Sequence, residues 1–472
     1  MVKNDKSQPV QAHLSVLPSV DGLLSLPEAR ALVERCSEAW VKEAARAALD
    51  DLRVSIRDGT ICPDRATATG AAVGRMRERI EARLRPSLRR VINATGVILH
   101  TGLGRAPLPG AAMAQVTAVA EGYCNLEIDL ESGERGERVS HVERLLCDLS
   151  GAEAAAVVNN NAAAVLLTLN TLASDREAVV SRGQLIEIGG SFRIPDVMGR
   201  GGARMVEVGT TNRTHLKDFR EAITERTGLL LSVHPSNYRV TGFTAEVGLE
   251  DLVVLGREFS VPVAHDLGGG VLVDLRPYGL PYEPLVSDSV RAGADVVTFS
   301  GDKVLGGPQA GVIVGRRKAV EAMRKNPLMR ALRCDKLTYA ALEATLRLYL
   351  RPAALLQEHP TLRMLTEPVA TLRRRARRLI GRLKGLEGQV ELRLEETVAY
   401  TGSGALPLEE IPSAAVTLRP VAGSVAGLAR GLRMGEPAVV GYVREGRVWL
   451  DVRTVRDEEV RSVAEAVRKT VR

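Results

Sequence analysis

The sequence predicts an α/β protein in which a doubly wound parallel sheet lies between a helical N-terminal domain and a smaller α+β C-terminal domain. Three observations support this. The chain has 472 residues, more than one ordinary core accommodates. Short β-branched runs alternate with helical segments between about residues 91 and 335, and a helical pattern without strand-like runs precedes them. We therefore expect domains at residues 1–88, 89–335 and 336–472.

The N-terminal domain is predicted to be helical from about residue 14 to residue 90. Ser25-Leu-Pro-Glu28 has the pattern of a capping box with proline in the first turn, which predicts the start of a helix. A second helix is expected over about 66–84, and Pro86 predicts a boundary. This second helix is dense in arginine, as is the segment after it: Arg75, Arg77, Arg79, Arg83, Arg85, Arg89 and Arg90.

The central and C-terminal domains are read from apolar runs of strand length. Seven runs in the central domain predict a substantial sheet with helices on both faces. They are 154–158, 178–181, 203–208, 228–233, 261–266, 296–300 and 311–314. The C-terminal domain is predicted to contain helices over 337–350, 372–384 and 457–471, and strands near 390–395, 414–418, 439–444 and 447–452.

Composition restricts the classes of function. Charged residues make up 26% of the chain and aromatic residues 3%, so the chain is globular, and a nucleic-acid site built on stacked aromatic rings is not expected. The net charge of +7 would attract phosphate. The five cysteines are scattered without a C-x-x-C pair, which indicates reduced thiols and no metal site. Without a secretory h-region or an apolar run of membrane-spanning length, we expect a cytoplasmic protein with no membrane partner.

The most informative local pattern is Val296-Val-Thr-Phe-Ser300-Gly301-Asp302-Lys303, followed closely by glycines. A buried strand here ends in a small polar loop with one lysine, which is what a Schiff-base lysine requires. Small neighbours let a flat cofactor approach the amine, and Ser300 is near enough to bind its phosphate. The alternative is a surface lysine in an ordinary loop.

A second strand end carries an acid. Val261-Pro-Val-Ala-His265-Asp266 leads into Leu267 and three glycines, and Asp266 is the expected partner of a pyridinium nitrogen. A carboxylate there keeps the ring nitrogen protonated, so that the ring can accept electrons when a Cα proton departs. Alone, the pattern is also that of an N-cap aspartate before a glycine turn.

A third strand end passes through Asn159, Asn160 and Asn161 into an alanine-rich helix that starts at about Ala162. Free backbone N–H groups at such a helix start form a phosphate cup, although an ordinary asparagine cap has the same pattern. Phosphate loop, acid and lysine on successive strand ends together predict the pyridoxal 5'-phosphate site of fold type I, the aspartate aminotransferase-like fold.

These residues also belong to a resemblance that covers nearly the whole chain. The chain resembles the bacterial selenocysteine synthase family, the L-seryl-tRNA(Sec) selenium transferases. The matching stretches are Val91–Thr101, Leu103–Leu108, Asn159–Val165, Glu187–Pro195, Val208–His215, Ser300–Lys303, Asn326–Leu328 and Arg330–Arg333. Leu17–Asp21 resembles the family's tRNA-binding domain, whereas Gly102 and Gly269 depart from the family's pattern.

The resemblance implies the reaction. Lys303 would bind the cofactor as a Schiff base, yield it to the seryl group of seryl-tRNA(Sec), and then remove the Cα proton. β-Elimination of water would leave an aminoacrylyl-tRNA, and selenium from selenophosphate would complete selenocysteinyl-tRNA(Sec). The resemblance also implies a homodecamer.

The resemblance and the strand ends together define the expected site. Lys303 and Asp266 are the predicted catalytic residues, and the predicted cofactor-binding residues are Asn160, Asn161, Ala162, His234, Asp266, Ser300 and Lys303. Arg105, Arg330 and Arg333 are expected to bind the selenium donor, because the guanidinium fork suits a tetrahedral oxyanion. A solvated helix face is the alternative for Arg330 and Arg333.

Four further residues keep open interpretations. Arg213 and Arg193 are weaker donor-site candidates, with subunit-interface ion pairs as the alternative. His234 could touch the cofactor ring or be a satisfied core histidine. His265 is a minor candidate, because alternation along a strand would point it away from Asp266.

Two basic clusters could contact tRNA: the N-terminal arginines, and a second group formed by Arg373, Arg374, Arg375, Arg377, Arg378, Arg382 and Lys384. Charge runs are usually solvated helix faces, and the resemblance favours a tRNA contact for the N-terminal domain. Two other functions remain. One is a lyase of the same fold acting on a small amino acid or amino-sugar phosphate, which the N-terminal domain disfavours. The other is a non-catalytic tRNA-binding scaffold, which Lys303 with Asp266 disfavours.

Overall fold

The computed structural model describes residues 7–189, 192–235, 237–238, 240–404 and 409–471. The chain divides into two compact units, Met1–Arg90 and Val91–Arg472. Gly190 and Ser191, within one of the stretches that carry the family resemblance, lie outside the described residues.

The first unit is helical. Its helices are α1 (Ser7–Ser15), α2 (Val20–Leu24), α3 (Pro27–Arg35), α4 (Glu38–Arg57) and α5 (Arg65–Leu84). The two long helices, α4 and α5, pack on each other, and small residues such as Ala45 and Ala72 are fully buried between them with Leu49 and Met76. Small side chains let the two backbones approach closely, so this short segment has its own core.

The helix starts in this unit differ in part from the prediction. The predicted capping box at Ser25 and Glu28 is wrong, because Leu26 is the N-cap of α3 and Ser25 closes α2 as its C-cap. Ser37 and Asp64 cap α4 and α5, with their side chains accepting hydrogen bonds from backbone N–H groups. Ser25, which the pattern assigned to the start of α3, thus ends the short helix α2.

The second unit contains strands and helices in alternation. Its strands are β1 (Val91–Asn93), β2 (Ala154–Val158), β3 (Glu177–Ser181), β4 (Glu187–Ile188), β5 (Phe192–Arg193), β6 (Arg204–Val208), β7 (Thr227–Val233), β8 (Val263–Gly268), β9 (Val296–Ser300), β10 (Gly311–Gly315), β11 (Val390–Ala399), β12 (Ile411–Pro420), β13 (Ala438–Val440), β14 (Tyr442–Arg444) and β15 (Arg447–Asp451). Its helices are α6 (Gly110–Ala120), α7 (Ser140–Ser150), α8 (Asn161–Leu172), α9 (Ile194–Arg200), α10 (Leu216–Ala222), α11 (Leu249–Phe259), α12 (Val286–Ala292), α13 (Arg317–Lys325), α14 (Leu328–Leu332), α15 (Lys336–Tyr349), α16 (Pro352–Glu358), α17 (Pro360–Thr366), α18 (Val369–Arg382), α19 (Val425–Met434) and α20 (Val460–Val471).

The main sheet has seven strands in the order β2-β10-β9-β8-β7-β3-β6, and each of the seven predicted runs overlaps one of them. The prediction of a parallel sheet is wrong at β10, which is antiparallel to both of its neighbours. The connection from β9 to β10 contains no helix, so the chain cannot cross over the sheet and turns straight back instead. The other six strands run in one direction, and their carboxyl ends share one edge.

Helices cover both faces of this sheet, because its side chains alternate between two apolar layers. Ala156 and Ile313 belong to the layer beneath α8, whereas Val157 and Val312 belong to the opposite layer, which includes Leu346 of α15. The central strands are therefore buried on both sides, as their almost uninterrupted apolar sequences require.

A smaller layer is built from the sheet β11-β12-β15-β14 and the helices α18, α19 and α20. The chain enters this layer twice. Strand β1 pairs in parallel with β13, and Ile92 and Ala94 lie in the same core as Leu379 and Val467. The segment that follows the first unit is therefore part of the C-terminal layer before the chain enters the main sheet.

Arg375 of α18 belongs to this layer rather than to a solvent-exposed basic surface. Its side chain is 5% exposed and donates to Glu367, to Asp457 and to the Val452 carbonyl. Arg378 also pairs with Asp457. The basic cluster predicted over this helix is thus partly neutralised by acidic residues of the same layer.

We expect Arg375→Met to lower the free energy of unfolding by about 3–5 kcal/mol, because it leaves the largely buried Glu367 carboxylate and the Val452 carbonyl without their donor. Urea unfolding followed by Trp449 fluorescence in a Trp40→Phe background measures this layer, since the chain has two tryptophans. The control is Arg377→Met, an exposed position on the same helix, with an expected change of at most about 0.5 kcal/mol. Equal effects of the two variants would contradict the assignment.

Among the described residues, no helix is both long enough and apolar enough to cross a lipid bilayer.

Candidate functional site

The predicted site residues meet at the carboxyl edge of the main sheet. Strands β2, β8 and β9 run in the same direction and end there, so the loops after Val158, Gly268 and Ser300 lie at one edge, and Asp266 lies two residues before the end of β8. In the register, Asp266 is opposite Thr298, and Ser300 is opposite Gly311 of β10. Ligands of open α/β sheets bind in the crevice outside such strand ends.

Asp266 is a buried carboxyl group, with 8% of the residue exposed. Its Oδ1 accepts hydrogen bonds from Asn161 Nδ2 at 2.8 Å and from Thr298 Oγ1 at 3.1 Å. Burial raises the pKa of Asp266 above its ordinary value, although these two donors and the positive charge of Lys303 oppose the shift. Ionised Asp266 therefore lacks full compensation in the protein alone, and a cationic partner would stabilise it.

Lys303 lies in the loop after β9 and is 7% exposed. Burial lowers the pKa of its amine, and the nearby charge of Arg105 lowers it further, while Asp266, Asp302 and Glu283 act in the opposite direction. A lowered pKa increases the fraction of neutral amine, which is the form that attacks an aldehyde or accepts a proton. The amine is thus held where its charge interacts with that of Asp266.

The loop after β2 forms the start of α8. Asn160 is the N-cap, and its side chain accepts a hydrogen bond from Ala163 N at 2.9 Å. The backbone N–H groups of Asn161 and Ala162 lie in the first turn, where no intrahelical partner exists. Gly311 of β10 approaches this loop so closely that a Cβ atom there would lie 2.1 Å from the Asn160 carbonyl oxygen. Glycine is therefore required where β10 passes the phosphate cup.

Arg105 reaches this edge from the segment before α6. Its Nη1 lies 2.6 Å from Asp302 Oδ2, and Asp302 is buried next to Lys303 in the chain. The backbone of Arg105 has a φ of 61°, a left-handed conformation that non-glycine residues rarely adopt. A strained backbone and an ion pair together hold this guanidinium at the site.

The other two donor-site arginines differ in placement. Arg333 forms an antiparallel bridge with Val158 at the end of β2, and its Nη1 lies 3.8 Å from Glu127 Oε1. Arg330 is exposed on the short helix α14. The structure thus brings the backbone of Arg333 to the phosphate loop, whereas no contact within the described residues ties the Arg330 side chain to the site.

Both histidines of interest are positioned by β7 and β8. His234 follows β7, donates its backbone N–H to the Asp266 carbonyl at 2.9 Å, and places Nε2 3.5 Å from Glu283 Oε1. His265 points to the other face of the sheet, where its Nδ1 is 2.9 Å from Ser289 Oγ. Burial lowers the pKa of His265 to about 3, so this ring stays neutral and has a packing role.

Arg193 and Arg213 have local contacts outside this cluster. Arg193 Nε pairs with Glu187 Oε2 at 2.7 Å across the hairpin of β4 and β5, and this contact raises the pKa of Arg193. The backbone of Arg213 bridges to Ala245. Within the described residues, neither side chain contacts Lys303.

The residues present fit pyridoxal phosphate. The described hydrogen bonds to Asp266 end on Oδ1, so Oδ2 can accept from a protonated ring nitrogen. Asn161 Oδ1 is buried without a hydrogen-bond partner among the described residues, which is costly unless a bound group supplies a donor. Lys303 supplies the amine, and the first turn of α8 with Ser300 supplies donors for a phosphate.

Three residues near the site were missed by sequence reasoning: Thr298, Asp302 and Glu283. Thr298 could have been found from strand alternation, since it lies two residues before Ser300 on the same face of β9. Asp302 stands in the lysine loop of the sequence, where no local pattern indicates its pairing with Arg105. Glu283 lies in a loop with no local pattern that points to Lys303, so no sequence signal identifies it.

The chain matches the family model described as L-seryl-tRNA selenium transferase over residues 91–456, and the model described as selenocysteine synthase N terminal over residues 14–53. It is 51% identical to the L-seryl-tRNA(Sec) selenium transferase of Geobacter sulfurreducens, over 96% of this chain and 98% of that protein. It is also 51% identical to the protein of that name from Moorella thermoacetica, over 96% of each.

The fold is also found among solved structures. The D-glucosaminate-6-phosphate ammonia-lyase structure superposes with a TM-score of 0.55 at 20% identity, and covers 83% of this chain and 98% of its own. At this identity the similarity concerns the fold alone. The overlap leaves part of the present chain unmatched.

Proposed function

The chain belongs to the L-seryl-tRNA selenium transferase family, and from this membership and the buried Lys303 and Asp266 we infer that it converts L-seryl-tRNA(Sec) to L-selenocysteinyl-tRNA(Sec). The single observation that carries the chemical part is the buried amine beside a buried carboxyl group at one strand edge. That pair provides a covalent anchor and an electrostatic partner for one cofactor ring.

The fold is that of fold-type I pyridoxal-phosphate enzymes, as the sequence predicts, and the cofactor is pyridoxal 5'-phosphate. When bound, this group supplies an electron sink for the carbanion left after a Cα proton departs. The rest of the chemistry falls to the chain's own residues, which bind, orient and move protons.

Lys303 is proposed as the anchor and as the base. Its burial favours the neutral amine, so after release it can take the Cα proton of the seryl group and later return a proton. Asp266 is proposed to hold a proton on the ring nitrogen through its free Oδ2. Asn161 fixes the Asp266 carboxyl group, and the N–H groups of Asn161 and Ala162 together with Ser300 are proposed to bind the phosphate.

The selenium donor is proposed to be selenophosphate, bound by Arg105, Arg330 and Arg333. The support for Arg105 is its ion pair with Asp302, one residue from Lys303. Support for Arg333 is its backbone bridge to the end of β2. Water leaves the serine β carbon and selenium is added at the same carbon, so cations near Lys303 would bring the donor to the reacting atom.

The first unit is proposed to bind the tRNA. The second unit is proposed to consist of a cofactor-binding domain up to about residue 335 and a smaller α+β domain after it. The family match over residues 14–53 supports this role. Two arginines of α5 have acidic partners within the unit: Arg79 pairs with Asp51, and Arg83 pairs with Glu43. Phosphate contacts would therefore involve Arg77 and Arg85 more than these paired residues.

A lyase acting on a small molecule would use the same strand-edge residues. The N-terminal match favours a tRNA substrate over that alternative. A non-catalytic scaffold would have no use for a buried lysine, which is costly to keep without a reaction. Assembly of a homodecamer remains part of the proposal through family membership.

The conversion assay tests this function. Full-length protein with cofactor, seryl-tRNA(Sec) and selenophosphate is expected to yield selenocysteinyl-tRNA(Sec), whereas free serine should not react. A variant lacking residues 1–88 is expected to keep its cofactor. Its rate of conversion should fall by at least about 100-fold, because the proposed tRNA contacts are removed. Conversion of free serine, or undiminished activity of the shortened protein on tRNA, would overturn the proposal.

A further inference from the structure

Glu283 is a buried acidic residue at the edge of the site to which the proposed reaction gives no role. It is 8% exposed, and its carboxylate raises the pKa of Lys303. A Cβ atom at Gly269 would lie 3.6 Å from Glu283 Oε1, so the carboxylate lies beside the glycine turn that follows Asp266. Its charge therefore acts within the cluster around the lysine.

The loop that carries Glu283 is held in place at both of its ends. Residues 271 and 285 form a parallel bridge, and Val286 N donates to the Val271 carbonyl at 3.0 Å. Glu283 is followed by Pro284, which restricts its backbone to extended conformations. The carboxylate is thus delivered to the site by a constrained backbone.

The partner of Glu283 identifies its role. The buried carboxylate of Asp302 has the guanidinium of Arg105 at 2.6 Å, and that of Asp266 has two neutral donors. For Glu283, the neighbouring basic side chain among the described residues is that of His234, whose Nε2 lies 3.5 Å from Oε1. A buried carboxylate is costly to retain unless a neighbouring group points an N–H or O–H donor at it.

We propose that Glu283 is a positioning residue for the reaction, which keeps a proton on Nε2 of His234 and so fixes the tautomer and orientation of that imidazole beside Asp266. A carboxylate next to one ring nitrogen favours the proton on that nitrogen, and Glu283 Oε1 lies 3.5 Å from Nε2. The backbone N–H of His234 already donates to the Asp266 carbonyl at 2.9 Å, so backbone and ring are then both fixed. This inference rests on the proposed function, and it takes the first of the two interpretations of His234, contact with the cofactor ring.

Glu283→Gln tests this role with little change in volume. In the full-length holoenzyme, we expect kcat for conversion to fall about 10- to 100-fold, as for other residues that orient a functional imidazole. KM for seryl-tRNA(Sec) should stay within about twofold, because Glu283 is proposed to act on the cofactor side. Glu283→Asp keeps the charge on a shorter side chain. Its kcat is expected to lie between that of the wild type and that of Glu283→Gln.

A double-mutant cycle separates action through His234 from a merely structural role. His234→Phe keeps an aromatic ring but has no nitrogen for Glu283 to hold. In that background, Glu283→Gln is expected to change kcat by less than about twofold. The matched control is Glu177→Gln, a buried glutamate paired with Arg226 at the start of β3, which should leave kcat unchanged.

The visible absorption of cofactor-loaded protein, measured without tRNA, is the second readout. Glu283→Gln and His234→Phe should displace the band from its wild-type position, while Glu177→Gln should not. Two results would overturn the inference: wild-type kcat and absorption in Glu283→Gln, or the same loss of kcat with and without His234. If wild-type protein fails to convert seryl-tRNA(Sec), the proposed function fails, whereas the absorption comparison still tests Glu283.

Discussion

Replacement of Lys303 by alanine is expected to reduce conversion of seryl-tRNA(Sec) by at least about 1,000-fold. The amine is proposed both to anchor the cofactor and to move the Cα proton, and no other lysine among the described residues has a place in this cluster. The measurement combines the conversion assay with the visible absorption of cofactor-loaded protein. In Lys303→Ala, we expect the visible absorption band that depends on the bond between the cofactor and the Lys303 amine to be absent.

Two further variants separate charge from covalent chemistry. Lys303→Arg keeps a positive charge beside Asp266 but cannot form the bond, so it should be as inactive as the alanine variant. Lys318→Ala, an exposed lysine at the start of α13, should behave as the wild type. Borohydride treatment should fix the cofactor on Lys303 of the wild type, and peptide mapping should find the modification at that residue. An unmodified Lys303 in cofactor-loaded protein would refute the proposed site.

Asp266→Asn is expected to lower kcat by roughly 100- to 10,000-fold, because the amide cannot hold a proton on the ring nitrogen through charge. KM for seryl-tRNA(Sec) should change little, since the tRNA contacts are proposed to lie in the first unit. Steady-state conversion with saturating cofactor measures both constants. A variant with near-normal kcat would show that the carboxylate is not the partner of the ring.

The same substitution is expected to stabilise the cofactor-free protein at neutral pH. Burial raises the folded-state pKa of Asp266, so the folded protein holds this proton more tightly than the unfolded chain does. The stabilisation from this proton is therefore present below the ordinary pKa and is lost as pH rises through the folded-state value. At neutral pH the ionised group is a net cost, which asparagine removes.

Thermal unfolding of cofactor-free protein tests this sign. Tm of Asp266→Asn should exceed that of the wild type at neutral pH, and the difference should shrink at pH values near the ordinary pKa of 3.8. The carbonyl oxygen of the new amide can accept the same hydrogen bonds from Asn161 Nδ2 and Thr298 Oγ1, which keeps the geometry. A lower Tm at neutral pH would mean that the carboxylate is compensated within the protein alone.

Much of the fold could be predicted because local patterns are strong where burial is complete. The strands Ala154–Val158, Val296–Ser300 and Gly311–Gly315 are buried along their whole length and read as apolar runs. Their direction could not be read in the same way. An apolar run is the same in either direction, and the antiparallel placement of β10 depends on the absence of a crossover helix before it.

The sequence by itself determined the strand ends that carry Asn160, Asp266 and Lys303, because polar residues and glycines that close an apolar run place the end of the strand, and with it the edge of the sheet, within a few residues. Only the tertiary structure decided that Arg105 pairs with Asp302, that β1 joins the C-terminal layer and that Glu283 faces His234. These contacts join segments far apart in the chain. Local periodicity reports which face a residue presents, whereas its partner is determined by how separate elements pack.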